Sequence, residues 1–141
     1  MSSRLVNCAP VLASQDLLNT VQYYRKVMGF KAVTHFDHDE PFAALYRDGV
    51  EIIVVQAKYG QILSNKKRFG AGYDVYIALK QVEGVDALYA EFKRSGARIE
   101  SPPTVTRYGC YEFVVQDIDG HRIGIGRIKR SETFFKDMQN C

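Results

Sequence analysis

Apolar positions along this chain follow two spacings, one of about 3.6 residues and one of two, and the order in which they alternate is written twice. Ala9 to Ser14 (APVLAS) is a short apolar run that predicts a strand. Leu17, Val21, Tyr24 and Met28 then fall on one helical face, with Asp16 placed to cap the free amides of the first turn and Gly29 to end the helix in a left-handed conformation. Phe30 to Phe36, Phe42 to Tyr46 and Val50 to Gln56 predict three strands. The last two are joined by Arg47-Asp48-Gly49, a hairpin signal because glycine readily takes positive φ.

The second half repeats the pattern. Tyr73 to Leu79 alternates, with Val75, Ile77 and Leu79 on one face and Asp74, Tyr76 and Ala78 on the other. A helix from Gly84 carries the stripe Val85, Leu88, Tyr89 and Phe92 and ends at Gly96. Ala97 to Glu100, Tyr108 to Gln116 and His121 to Ile125 predict strands, with Ser101-Pro102-Pro103 breaking the first from the second. Gly29 and Gly96 lie 67 positions apart, and the turns Asp48-Gly49 and Asp119-Gly120 lie 71 apart. A tandem duplication this short predicts two similar units and directs the search for a ligand to what both repeats point into the space between them.

Composition narrows the classes. At 141 residues, 46% hydrophobic and 25% charged, the chain reads as one soluble domain able to bury a core. No apolar run reaches the roughly 18 residues of a membrane span. The opening MSSRLVNCAPVLAS, interrupted by a proline, reads as a strand rather than a signal peptide. A net charge of +3, scattered, does not argue for nucleic acid. Three widely spaced cysteines (Cys8, Cys110, Cys141) without a CxxC motif fit reduced thiols in a cytoplasmic protein.

The duplicated β-α-β-β-β order resembles the vicinal oxygen chelate superfamily of glyoxalases, bleomycin-resistance proteins and dioxygenases. The likeness is carried by APVLASQDLLNTVQYYRKVMGF (Ala9 to Phe30) and YEFVVQDIDGHRIGI (Tyr111 to Ile125). Met28 stands where the family's pattern has leucine, and Ile118 where it has proline. The resemblance implies an α+β fold in which two tandem βαβββ units curl into a U-shaped mixed-sheet cleft. On that reading residues 1–141 form a single domain: 9–57 the first unit, 58–72 a connecting loop, 73–128 the second unit and 129–141 a tail. Lys66, Lys67 and Arg68 in the connection read as a solvated or cleft-gating loop, and Phe134, Phe135 and Met138 as one face of a short tail helix.

Metal-using members of such a family place ligands on the first and last strands of each unit. Carried over singly, those positions fall on Ala9, on Ile53, on Tyr76 or its neighbour, and on Gly124. Three of these side chains cannot ligate a metal, and one tyrosine does not replace a set of His and Glu donors. No metal and no cofactor are therefore expected. His35, Asp37, His38, Asp39 and Glu40 crowd one hairpin but read as a solvated turn, and His121 beside its turn glycine reads as structural.

Strand alternation then fixes the cleft face. With Ile53 and Gly124 at the former ligand positions, Glu51, Val55, Arg122 and Gly126 share their side, while Ile52, Val54, Ile123 and Ile125 face the helices. Ala9, Val11 and Ala13 join the cleft face, as do Asp74, Tyr76, Cys110, Glu112 and Val114. The expected ligand-binding set is Glu51, Ile53, Asp74, Tyr76, Cys110, Glu112 and Arg122. Three carboxylates and a tyrosine with few cations suit a cationic or aromatic ligand. The competing reading pairs Glu51 and Glu112 with Arg122 and other cations as structural ion pairs.

The expectation is a metal-independent protein that sequesters a small molecule, nearest in kind to the bleomycin-resistance group and, like it, a homodimer. An enzyme is the alternative: a metal-dependent lyase, dioxygenase or thiol transferase with displaced ligands. Thiol chemistry at Cys110 is a third option, against which stands the lack of an evident histidine beside it.

Overall fold

In the computed structural model, which describes residues 3–128, the chain separates into two compact units, the first ending at Ile62 and the second beginning at Leu63. Both are βαβββ arrangements built on a four-stranded mixed sheet, giving an α+β protein.

The first unit runs β1 (Val11–Ser14), α1 (Leu17–Lys26), β2 (Lys31–His35), β3 (Phe42–Arg47) and β4 (Val50–Gln56), with spatial order β1-β4-β3-β2. β1 pairs with β4 in parallel, and the other pairs are antiparallel. Helix α1 starts where its sequence says it should: Asp16 accepts a hydrogen bond from the Asn19 amide at 3.2 Å. The Gln56 side chain ties the end of β4 to that start, its oxygen accepting from the Leu17 amide and its nitrogen donating to the Gln15 carbonyl. The stripe Leu17, Val21, Tyr24 and Met28 is buried, together with Leu45, Ile52 and Val54 from the sheet. Each such side chain taken from water contributes about 1.5–3 kcal/mol. Tyr24 is also edge-on to Phe30, with ring centroids 5.7 Å apart.

The second unit runs α2 (Asn65–Phe69), β5 (Val75–Ala78), α3 (Gly84–Arg94), β6 (Arg98–Val105), β7 (Cys110–Gln116) and β8 (Arg122–Ile128), with order β5-β8-β7-β6. Again the first pair is parallel and the rest antiparallel. Val85 and Phe92 of α3 are buried with Phe113, Val115, Ile123 and Ile125, and the Phe113 ring meets both Tyr89 and Phe92 edge-on. The alternation assigned to β4 and β8 from sequence therefore holds, with the odd or even set fully buried on the helix side in each.

Three local expectations change. Ser101-Pro102-Pro103 does not break the chain into separate strands; β6 runs through it, with register shifts between Ile99 and Ser101 and between Ser101 and Thr104. As an outer strand, β6 needs ladder hydrogen bonds on one side only, so missing amides are tolerated. The connection after residue 58 contains α2, capped by the Ser64 hydroxyl accepting from the Lys67 amide. At the first hairpin the left-handed residue is Asp48 (φ 50°) rather than Gly49, whereas at the second it is Gly120 (φ 90°). Aspartate tolerates that region better than most residues, and this explains the exchange. The second turn is held by the buried Asp117, whose carboxylate accepts from the Asp119 and His121 amides at 3.0 Å each. The expected tail helix of residues 129–141 lies outside the described residues. No helix among the described residues is long and apolar enough to cross a membrane.

Candidate functional site

The face of the second sheet opposite α3 carries the chemistry. Alternation along β7 places Cys110, Glu112 and Val114 there, and along β8 places Arg122, Gly124 and Gly126. Cross-strand register sets Tyr76 opposite Gly124 and Glu112 opposite Gly126. Both glycines are required by close approach. A Cβ at Gly124 would lie 2.9 Å from the Tyr76 ring and 3.1 Å from the Tyr73 ring. At Gly126 it would lie 2.4 Å from the Glu112 Cβ and 2.5 Å from the Tyr111 carbonyl oxygen. The empty side-chain positions on β8 are thus filled by Tyr73, Tyr76 and Glu112.

Glu112 is the centre of this group. It is only 3% exposed, although it is a carboxylate on a sheet face. Its Oε1 accepts hydrogen bonds from the hydroxyls of Tyr73, at 3.2 Å, and Tyr108. Its Oε2 is buried and has no hydrogen-bond partner among the described residues. Burial raises the pKa of the phenols of Tyr73, Tyr76 and Tyr108, and the charge of Glu112 raises each further, so all three remain protonated donors. The Cys110 and Glu112 side chains both act on the Tyr76 hydroxyl as acceptors, which raises its pKa further.

Arg122 is spent elsewhere. Its guanidinium grips Glu100 through Nε and Nη2, at 2.8 and 2.6 Å to the two carboxylate oxygens, and Nη1 donates to the Gly72 carbonyl oxygen. Over the Tyr73 ring it sits 5.1 Å from the centroid. Hydrogen bonding to Arg122 holds the Glu100 carboxyl below its ordinary range. The competing reading, which paired Arg122 with Glu51 or Glu112, gives way to an ion pair with Glu100, which β6 brings alongside. Asp74 reaches the same neighbourhood but in a structural role: its oxygens accept from the amides of Asn65 and Arg122 at 2.9 and 2.8 Å, anchoring α2 to β8.

Glu51 and Ile53 lie in the first unit, on the open face of its sheet. There Glu51 accepts from the Asn7 amide group at 2.6 Å and raises the pKa of the Tyr46 phenol opposite it. Val11, Ile53, Ala44 and Val33 form an apolar row across that face. His35 stacks on Phe42 at 4.6 Å, and the ring nitrogen of His38 pairs with the Glu40 backbone, so both belong to the hairpin's own structure.

The structure thus gathers Tyr76, Cys110, Glu112 and Arg122 on one face with Asp74 at its border, and keeps Glu51 and Ile53 in the other unit. Tyr73, Tyr108 and Glu100 were missed by sequence reasoning, whereas Gly126 was placed on this face by parity but left out of the expected ligand-binding set. Only Gly124 and Gly126, two small residues in succession on one strand face, signalled that something large lay over them.

The metal positions implied by the family resemblance do not fit a metal. Ala9, Ile53 and Gly124 offer no donor atom, and tyrosine rings occupy the space where a side chain at 124 would begin. Among the described residues no group of three or more His, Cys, Asp or Glu side chains is arranged to hold a metal ion.

The family model for the Glyoxalase/Bleomycin resistance protein/Dioxygenase superfamily matches residues 4–125. No curated protein sequence matches the chain. Among solved structures, a glyoxylase/bleomycin resistance protein/dioxygenase domain from Frankia sp. EAN1pec superposes with a TM-score of 0.72 at 17% identity, covering 96% of this chain and 99% of the other. TioX from Micromonospora sp. ML1 gives 0.65 at 21% identity, covering 87% and 98%. A family member from Alicyclobacillus acidocaldarius gives 0.72 at 13% identity, covering 89% and 92%. Such identities speak for the fold alone, and the fold agrees with the family model. The chain belongs to the Glyoxalase/Bleomycin resistance protein/Dioxygenase superfamily.

Proposed function

We propose that this chain binds a small molecule without a metal ion, on the open face of its second sheet, and acts by holding that molecule rather than transforming it. The observation that carries the reading is the filling of the Gly124 position by the Tyr73 and Tyr76 rings, which turns a place for a metal ligand into an aromatic floor. Such a floor with one buried carboxylate suits a cationic or aromatic ligand, because apolar area supplies affinity while few polar groups fix orientation. Sequestration, as in a resistance protein, needs no more than this. A homodimer in a reducing cytoplasm completes the proposal, Cys8 and Cys110 being free thiols.

Thermal melts of the purified protein with aromatic amines, alcohols and acids, before and after exhaustive chelation, test it. At a ligand concentration 100 times its Kd the folded state gains about 2.7 kcal/mol, enough to raise Tm by several degrees. The expected result is that at least one compound raises Tm equally with and without chelator. One tight metal equivalent per chain, whose removal abolishes binding, would overturn it.

A further inference from the structure

We infer that the ligand of this face carries a protonated amine, whose N–H is received by Oε2 of Glu112 beside the tyrosines. The inference rests on the binding reading above and names the group recognised. A buried carboxylate oxygen left without a donor is costly, and native structures leave few of them unexplained. Oε1 is doubly satisfied by Tyr73 and Tyr108, and Oε2 has no hydrogen-bond partner among the described residues. The nearby cation cannot serve, since Arg122 gives its guanidinium to Glu100 and Gly72. Among the described residues no donor is recorded against Oε2, which leaves that oxygen to a ligand's N–H.

The first unit shows that the fold does not itself demand a carboxylate here. Counted from the turn, Ile53 corresponds to Gly124, so Phe42 corresponds to Glu112 and Val55 to Gly126 through the same cross-strand pairs. There an aromatic and an aliphatic side chain meet, and no charge is buried. In the second unit that pair has become Glu and Gly, which sinks a charge into the face and removes the side chain above it.

The surroundings fit an ammonium group. Aromatic rings attract cations through their quadrupoles, and phenols that stay protonated cannot neutralise the carboxylate's demand for charge. Tyr76 and Tyr108 are 42% and 55% exposed, so solvent reaches the rings that cover Glu112. An anionic ligand would meet Glu112 and is excluded by repulsion.

Calorimetric titration of the full chain with benzylamine, benzyl alcohol and benzoate, repeated on Glu112→Gln, tests this. Benzylamine should bind about tenfold more tightly than benzyl alcohol, with benzoate weakest. Glu112→Gln should abolish that preference. Equal affinities in the wild type, or a preference that survives Glu112→Gln, would overturn the inference while the aromatic-binding reading stands. Absence of binding by any of the three would overturn both. Should the variant not fold, carbon-labelled glutamate in the wild type gives a second readout. The Glu112 carboxyl resonance then moves with benzylamine and not with benzyl alcohol, and a resonance that stays still overturns the inference.

Discussion

The two units share one plan and fill it oppositely. In the first, the bulk of the core comes from the helix and its exit: Tyr24, Met28 and Phe30 are buried over strand positions as small as Ala43. In the second, the strand supplies the bulk, Phe113 standing at the position corresponding to Ala43 and meeting Tyr89 and Phe92 of the helix. On the open faces the contrast reverses. The first sheet has ordinary side chains on β4, Ile53 and Val55, whereas the second has Gly124 and Gly126 there and covers them with tyrosines and a glutamate. A duplicated scaffold can therefore keep its strand pairing while moving volume from one layer to another. Only the second unit has used that freedom to bury a charge.

Truncating the strand-borne bulk should have the largest effect. Phe113→Ala is expected to cost about 3–5 kcal/mol in urea unfolding, against about 1 kcal/mol for Ala43→Gly at the corresponding position. Comparable losses at both would break the contrast. Next, Gly126→Val, which writes the first unit's residue into the second, should cost about 3 kcal/mol because no space exists for its Cβ. The double change Glu112→Phe with Gly126→Val should not recover that loss, because the atoms in the way are the Cβ and backbone of residues 111 and 112, which phenylalanine keeps. Recovery in the double variant would show that the strand backbones can move apart. Asp16→Ala, which removes the cap of α1, should cost about 1 kcal/mol, a value that the second unit cannot match because Glu83 makes no side-chain cap to α3.

The smallest effect is one of pH. Glu100 is held below its ordinary value of 4.5, chiefly by Arg122, so its contribution is present above that value and fades as pH falls through the lowered one. Melts of wild type and Glu100→Gln should differ at neutral pH and converge in acid. A gap that persists or widens in acid would contradict the assignment.

Most of the fold was legible because alternation and helical spacing report directly on which face is buried. Leu17, Val21, Tyr24 and Met28, or Ile123 and Ile125, could hardly be placed otherwise. The site was legible only in part, since parity says which way a side chain leaves the strand and not what it meets. It placed Tyr76, Cys110 and Glu112 on the face they occupy. For Asp74 it gave a direction but not the two backbone amides that absorb both oxygens. Tyr73 and Tyr108 head the strands read from sequence, but β5 begins only at Val75 and β7 at Cys110, so parity does not govern these two and their convergence on Glu112 arises from tertiary packing. Arg122 chose Glu100 because β6 brings that carboxylate within reach, a matter of sheet order rather than spacing.

The prolines carried within β6 have an effect beyond register. Position 102 and position 103 have no amide hydrogen, and the shifts around them distort the rim of the second sheet. A strand from another molecule would find few donors there and a bent edge to follow, so growth of the sheet by addition is blocked on that side. The corresponding rim of the first sheet, Lys31–His35, has all its amides and only its lysine as a deterrent. Of the two rims formed by β2 and β6, the first unit's is the one left open to strand exchange when the protein is heated.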